Sequence, residues 1–207
     1  ALPSLALREG TTLFNLEAID AAGNRGSTTF TLNHKPVNTS PPSWSHEGSA
    51  AQRVRAGVRA LGDVNGDGFD DVLIRVGDYM RVYMGAVDGP FVDPSWSVGG
   101  LASPASAGDV NGDGYSDVIV GTRSYSGGQY TGSASLYLGA PSGLAGSPVW
   151  VTEGLPTPYY YTYGSSVSAA GDVNRDGFGD VLVTDPLLKD PSGLNLNEGR
   201  AYLFHGS

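Results

Sequence analysis

The sequence predicts an all-β protein: three four-stranded antiparallel blades of a partial β-propeller, preceded by a short β-hairpin. Three observations lead there. One unit recurs as GDVNGDGFDDVLIR at 62–75, GDVNGDGYSDVIVG at 108–121 and GDVNRDGFGDVLVT at 171–184. A tryptophan recurs at Trp44, Trp96 and Trp150, spaced 52 and 54 residues apart, which is a blade-sized period. No stretch keeps a helical period, and 31 Gly and 13 Pro against 16% charged residues indicate many short strands joined by tight turns.

Each unit reads as four strands. The first is built of small or branched residues: Val54 to Ala60, Ser103 to Ala107 and Ser166 to Ala170. The second is the unbroken apolar run after the acidic loop (Val72-Leu73-Ile74, Val118-Ile119-Val120, Val181-Leu182-Val183), as expected of a strand buried on both faces. The third is an aromatic segment ending in Gly: RVYMG at 81–85, SLYLG at 135–139 and YLFHG at 202–206, which makes Tyr83, Tyr137 and Phe204 equivalents. The Trp segment supplies the fourth. A roughly 50-residue period of four strands favours a propeller over a sandwich.

Residues 1–34 differ in kind. TTLFNLEAIDAAGNRGSTTFTL reads as two alternating strands around a turn at Ala21 to Gly26 and resembles the last two strands of a bacterial immunoglobulin-like repeat. The expected division is therefore 1–34, the remnant of an immunoglobulin-like domain; 35–41, a linker rich in Pro, Ser and Thr; and 42–207, the blades. On this resemblance the chain begins inside a domain, and a two-stranded remnant alone is marginal in water.

A formal net charge of -9, with only twelve Lys and Arg, supplies no basic patch, so neither nucleic acid nor an anionic membrane is an expected partner. Without Cys there is no disulfide framework and no thiolate metal site. No apolar run reaches roughly 18 residues and no basic region precedes an apolar core at the N-terminus, so neither membrane insertion nor a leader is expected.

In each acidic loop, oxygen donors fall at positions 1, 3, 5 and 9: Asp63, Asn65, Asp67 and Asp71; Asp109, Asn111, Asp113 and Asp117; Asp172, Asn174, Asp176 and Asp180. Position 7 (Phe69, Tyr115, Phe178) offers a backbone carbonyl. Alternate residues of a tightly curled loop can point several oxygens inward, and hard Ca2+ takes six to eight of them. Gly at position 6 permits the curl. An EF-hand loop shares the opening pattern but needs a bidentate carboxylate at position 12 and a following helix. Here position 12 is Ile74, Val120 or Val183, all strand residues. The competing metal-free turn would explain one such loop; three with identical oxygen spacing favour three Ca2+ sites.

Asp-x-Asn-x-Asp-Gly-x-x-Asp before an apolar strand resembles the FG-GAP repeats of the integrin α-subunit propeller, over residues 42–207. Tyr163-Gly164 stands for the Phe-Gly pair and Thr184-Asp185-Pro186 for Gly-Ala-Pro, while the first two units keep still less of either. The resemblance implies an integrin-like, calcium-binding repeat protein of the cell surface or secreted space, serving adhesion or ligand binding; the resemblance of residues 1–34 to a bacterial immunoglobulin-like repeat adds the expectation of a bacterial source. The same repeats also accompany some secreted carbohydrate-active enzymes.

Other motifs are weaker. Asp93, Ser95 and Ser97 match a metal-dependent adhesion motif, but that site needs an α/β domain, and the blade strand is the better reading. Tyr159, Tyr160, Tyr161 and Tyr163 could stack on sugars, meet a protein partner or pack in the core. His34, His46 and His205 show no metal-ligand spacing. No hydrolase, metalloprotease or phosphate-loop motif occurs. Glu47, Asp78, Asp88, Glu153, Asp185 and Asp190 remain unassigned acids in which a glycosidase pair could hide.

The expected function is calcium-stabilised binding of an extracellular protein or glycan through propeller-face loops, the insertion Ser124 to Gly132 among them. A carbohydrate-active enzyme and a structural spacer are the alternatives. The final blade is expected to lack its fourth strand. Because a closed propeller takes about four to eight blades, open blade edges are expected to be covered by further blades, by residues 1–33 or by self-association through the Trp44 segment.

Overall fold

A computed structural model of the chain describes residues 10–19, 25–34, 45, 47, 53–87, 89–90, 93–99, 103–156, 163–186 and 199–207. The contacts divide the chain into two units, Ala1–Ser43 and Trp44–Ser207. In the first unit β1 (Gly10–Ile19) and β2 (Arg25–His34) form an antiparallel ladder without a bulge, from Gly10 opposite His34 to Ile19 opposite Arg25. The described residues contain no helix.

The second unit is a series of antiparallel meanders. The first sheet runs β3 (Val54–Gly62), β4 (Asp71–Val76), β5 (Tyr79–Tyr83) and β6 (Trp96–Gly99). The second runs β7 (Ser103–Gly108), β8 (Asp117–Ser126), β9 (Gln129–Tyr137) and β10 (Trp150–Glu153). The third runs β11 (Val167–Gly171), β12 (Asp180–Asp185) and β13 (Arg200–Phe204), with no fourth strand among the described residues. These are blades of a partial β-propeller, as the repeat predicts. Tyr83, Tyr137 and Phe204 stand opposite Val72, Val118 and Val181, so the aromatic segments occupy one register. The Trp segments close the first two sheets, with Trp96 opposite Val82 and Trp150 opposite Leu136. The Trp44 segment lies outside the described residues apart from Ser45 and Glu47, both exposed.

The second strands are enclosed on both faces: Leu73, Val118, Ile119, Val120 and Val183 have no exposed surface. One apolar cluster joins the first sheet to the second around Leu73, Val82, Met84, Val118 and Leu144. Another joins the second to the third around Ile119, Ala134, Val181 and Val183. In both, the fourth-strand Trp meets the next blade's aromatic edge-on: Trp96 with Tyr137 at 5.1 Å and Trp150 with Phe204 at 4.8 Å.

The insertion at 124–132 is a ribbon, not a loop. Pairing of β8 with β9 continues to Ser126 opposite Gln129, and Gly127-Gly128 close it with φ of 59° and 81°. Two central residues at positive φ make the turn whose twist matches the strands, which Gly-Gly adopts without strain. Strand direction then sorts the connections: in the second sheet the acidic loop lies at one end and the β8–β9 ribbon at the other.

Candidate metal centre

The chain enters each acidic loop through a bulge at the end of the first strand, where Gly62, Gly108 and Gly171 adopt φ of 82°, 76° and 74°. The three loops then follow one hydrogen-bonding plan. At position 1, Asp63 Oδ1 accepts the amides of Gly66 and Asp67 at 2.6 and 3.2 Å, and Oδ2 accepts that of Gly68 at 2.8 Å. Asp109 repeats this with Gly112, Asp113 and Gly114 at 2.7, 3.1 and 2.9 Å. Asp172 accepts Asp176 at 3.1 Å and Gly177 at 3.0 Å. At position 3, Asn65, Asn111 and Asn174 donate from Nδ2 to the position-5 carboxylates of Asp67, Asp113 and Asp176 at 2.9, 2.8 and 2.6 Å. The other oxygen of each position-5 carboxylate accepts the amide of Phe69, Tyr115 or Phe178 at 2.9 to 3.0 Å. Position 6 turns at φ of 88°, 90° and 95° (Gly68, Gly114, Gly177), the left-handed backbone that glycine allows.

Position 9 acts as a pin. Asp71, Asp117 and Asp180 have no exposed surface. One oxygen of each accepts the position-2 amide (Val64, Val110, Val173) at 2.8 Å. The other accepts the amide that follows the third strand: Gly85 at 2.7 Å, Gly139 at 2.8 Å and Gly206 at 3.1 Å. One buried carboxylate thus ties the start of the loop to the end of a strand that lies 14, 22 or 26 residues beyond the carboxylate itself.

Successive loops are also tied to each other. The position-8 amides of Ser116 and Gly179 donate to the position-1 carbonyls of Asp63 and Asp109 at 2.8 and 2.6 Å. Ala140 and Ser207 donate to the position-2 carbonyls of Val64 and Val110 at 3.0 and 2.9 Å. The rings of Tyr115 and Phe178 lie over position 4 of the preceding loop, where a Cβ on Gly66 or Gly112 would come within 2.5 or 2.8 Å of them. In the third loop that position is Arg175, at φ 61°.

Burial pushes the carboxyls of Asp71 and Asp117 up from their ordinary value, and the charges at positions 1 and 5 of the same loops add to the rise against the amides that stabilise the anion. Desolvation acts on Asp63 too, but four loop amides outweigh it and hold that carboxyl down. Desolvation of Asp180 is likewise outweighed by the Val173 and Gly206 amides and by His205, whose Nδ1 lies 3.1 Å away. By sequence alone His205 reads as a surface or strand residue. Its one signal was register, because it occupies the place of Met84 and Leu138.

These loops suit a hard cation in donor chemistry. All candidate groups are oxygens, two carboxyls per loop already repel a third in the first two loops, and no Lys or Arg pairs with those carboxylates among the described residues. Among the described residues no three Asp, Glu, His or Cys side chains gather by themselves into an ion cage. A cation would therefore draw on the Asn oxygen and the position-7 carbonyl together with the carboxylates.

The other motifs resolve differently. Ser95 Oγ donates to the Val82 carbonyl at 3.3 Å and Ser97 lies in β6, so the Asp93 segment leads into a blade strand. Tyr163 is buried, edge-on to Tyr202 at 5.3 Å, and its hydroxyl donates to Thr152 at 3.4 Å. Tyr159 to Tyr161, Asp88, Asp190 and the side chain of His34 lie outside the described residues, as does His46.

Comparison with known proteins bears on this repeat. A family model described as FG-GAP-like repeat matches residues 63–120 and again 109–183. Each match runs from an acidic loop into the second strand of the following blade. No curated protein matches the chain.

Proposed function

Because the chain belongs to the FG-GAP-like repeat family, we propose that its second unit is a calcium-stabilised extracellular module that binds a protein or glycan. The repeats suggest a propeller-type binding or adhesion module; the observation that points to where it binds is the β8–β9 ribbon. In the first sheet the corresponding hairpin turns at Gly77-Asp78, whereas here Arg123 to Gly132 continue the ladder away from the acidic loops. Across the ribbon Tyr125 and Tyr130 pair at 4.6 Å, and Tyr125 is 63% exposed. Two aromatic rings held across a paired ribbon offer a sugar ring or a protein side chain a large contact.

In this reading Asp63, Asn65, Asp67, Asp71 and the Phe69 carbonyl hold one Ca2+. Asp109, Asn111, Asp113, Asp117 and the Tyr115 carbonyl hold a second; Asp172, Asn174, Asp176, Asp180 and the Phe178 carbonyl hold a third. The ion supplies the positive charge that the crowded carboxylates lack. Sites of this kind in extracellular modules fill at roughly 10⁻⁴ to 10⁻³ M, and loops of that affinity would suit a protein working outside the cytoplasm. The proposal includes no catalytic step. A glycan and matrix-protein binding screen with wild type and Tyr125→Ala/Tyr130→Ala tests it. A ligand lost by the variant at unchanged melting temperature supports the reading. Binding indifferent to both tyrosines, or turnover of a polysaccharide, contradicts it.

A further inference from the structure

The first two acidic loops each share their opening peptide group with the loop that follows. The Asp63–Val64 peptide is held on both sides. Its N–H donates to Asp71 Oδ2 of the same loop at 2.8 Å, and its carbonyl accepts the Ser116 amide of the second loop at 2.8 Å. Ser116 stands between Tyr115 and Asp117, two of the candidate oxygen donors of that second loop. Another tie runs through the buried carboxylate. Asp117 Oδ1 accepts the Gly139 amide at 2.8 Å, and the next amide, of Ala140, donates to the Val64 carbonyl at 3.0 Å. Gly139 is packed so closely that a Cβ there would stand 2.5 Å from the Ser116 carbonyl oxygen and 2.7 Å from that of Val64. The third loop holds the second in the same two ways. Gly179, between Phe178 and Asp180, donates to the Asp109 carbonyl at 2.6 Å, and Asp180 Oδ1 accepts Gly206 at 3.1 Å while Ser207 donates to the Val110 carbonyl at 2.9 Å. No hydrogen bond joins the first loop to the third among the described residues.

We propose that neighbouring loops take up calcium cooperatively, with the second loop as the link between the first and the third; this rests on the calcium reading above. The residues that would donate to one ion also fix the entrance of the loop before it. With Tyr115 and Asp117 drawn into the second site, the Ser116 amide is set for the Asp63 carbonyl, and the start of the first loop is ordered with it. That loop then has less to order when it fills, and a site ordered in advance binds more tightly without any new contact. The effect is mutual, because filling the first loop favours the second by the same factor. The Tyr115 ring over Gly66 and the Phe178 ring over Gly112 add packing at the same two junctions. Filling one loop also removes negative charge beside its neighbour, which opposes the effect. Salt screens that opposition, with a Debye length of about 8 Å at about 0.15 M, and leaves the hydrogen-bonded ties intact.

Calcium-electrode titration of the whole chain in about 0.15 M salt tests this, with the position-5 variants Asp67→Ala, Asp113→Ala and Asp176→Ala beside wild type. Each variant removes an exposed carboxylate bonded only within its own loop, and the three lose equivalent bonds. Each leaves two intact loops, and only in Asp113→Ala are those two not neighbours. Wild type is expected to bind three ions with a Hill coefficient above one. Asp67→Ala and Asp176→Ala should bind two ions and keep a Hill coefficient above one. Asp113→Ala should bind two ions independently, with a midpoint at least about fivefold higher than in the other two variants. Three ions bound to wild type with a Hill coefficient of one, or three variants that bind alike, overturn the coupling and leave the calcium reading standing. Wild type that binds no ion overturns both. The wild-type isotherm decides by itself should a variant fail to fold.

Discussion

Tyr115 lies so close over Gly66 that a Cβ there would stand 2.5 Å from the ring, which makes an aromatic of one acidic loop the lid of the loop before it. Phe178 covers Gly112 in the same way. With the amide of Ser116 on the Asp63 carbonyl and that of Gly179 on the Asp109 carbonyl, the three loops form one connected row.

Substitution at position 4 should therefore depend on which loop carries it. Gly66→Ala meets both a ring and a φ of 74°, and a left-handed backbone alone costs a non-glycine residue about 1–2 kcal/mol. A loss of about 2–3 kcal/mol in urea unfolding is expected. Arg175→Gly, where a side chain already sits at φ 61°, should change stability by less than about 1 kcal/mol, because relief of strain opposes the added freedom of the unfolded chain.

The position-9 pin should be the least replaceable carboxylate. Asp117→Ala leaves the buried amides of Val110 and Gly139 without an acceptor, at about 1–3 kcal/mol each. Calorimetry should show a fall of several degrees or failure to fold. Asp113→Ala, at an exposed position bonded only to neighbours within the loop, should cost far less in the calcium-free protein.

Much of this arrangement was legible in the sequence, and the exceptions share a cause. The recurring unit located the strands, the equivalence of Tyr83, Tyr137 and Phe204 and the role of Trp96 and Trp150, because periodicity encodes what each blade has in common. What lies between blades is written at sites far apart in the chain, so the cover of Tyr115 over Gly66 and the insertion of Leu144 beneath Trp96 left no local signal. The ribbon at 124–132 reads as a loop in the sequence because Ser and Gly are turn residues. Its ladder appears only in the cross-strand register, from Arg123 opposite Gly132 to Ser126 opposite Gln129. Tyr163 stood in a run of tyrosines whose composition gave no means of telling core from surface.

Leu144 should behave as a core residue although it lies in a Pro- and Gly-rich connection. Leu144→Ala opens a cavity in the cluster against which Trp96 packs and should cost about 2–4 kcal/mol. A similar loss from Leu155→Ala, at a position 77% exposed, would show that the difference in burial does not govern the two sites.

Tyr163 should make stability fall at alkaline pH. Burial pushes its phenol up from its ordinary value, with the Thr152 hydroxyl working the other way. A raised folded-state pKa means that the protonated form is favoured by folding. The associated stability is fully present below the unfolded value of about 10 and is lost as pH rises through the folded one. Tyr163→Phe should flatten that decline between wild type and variant, measured by urea unfolding across the alkaline range.

Calcium titration followed by differential scanning calorimetry tests the central claim most directly. Wild type dialysed against millimolar calcium should retain three ions by elemental analysis. At ten times the dissociation constant each site adds about 1.4 kcal/mol, so chelator should lower the melting temperature by several degrees. A chain that retains no calcium and melts at the same temperature with and without chelator would contradict the account, leaving the loops as hydrogen-bonded turns held by their own amides.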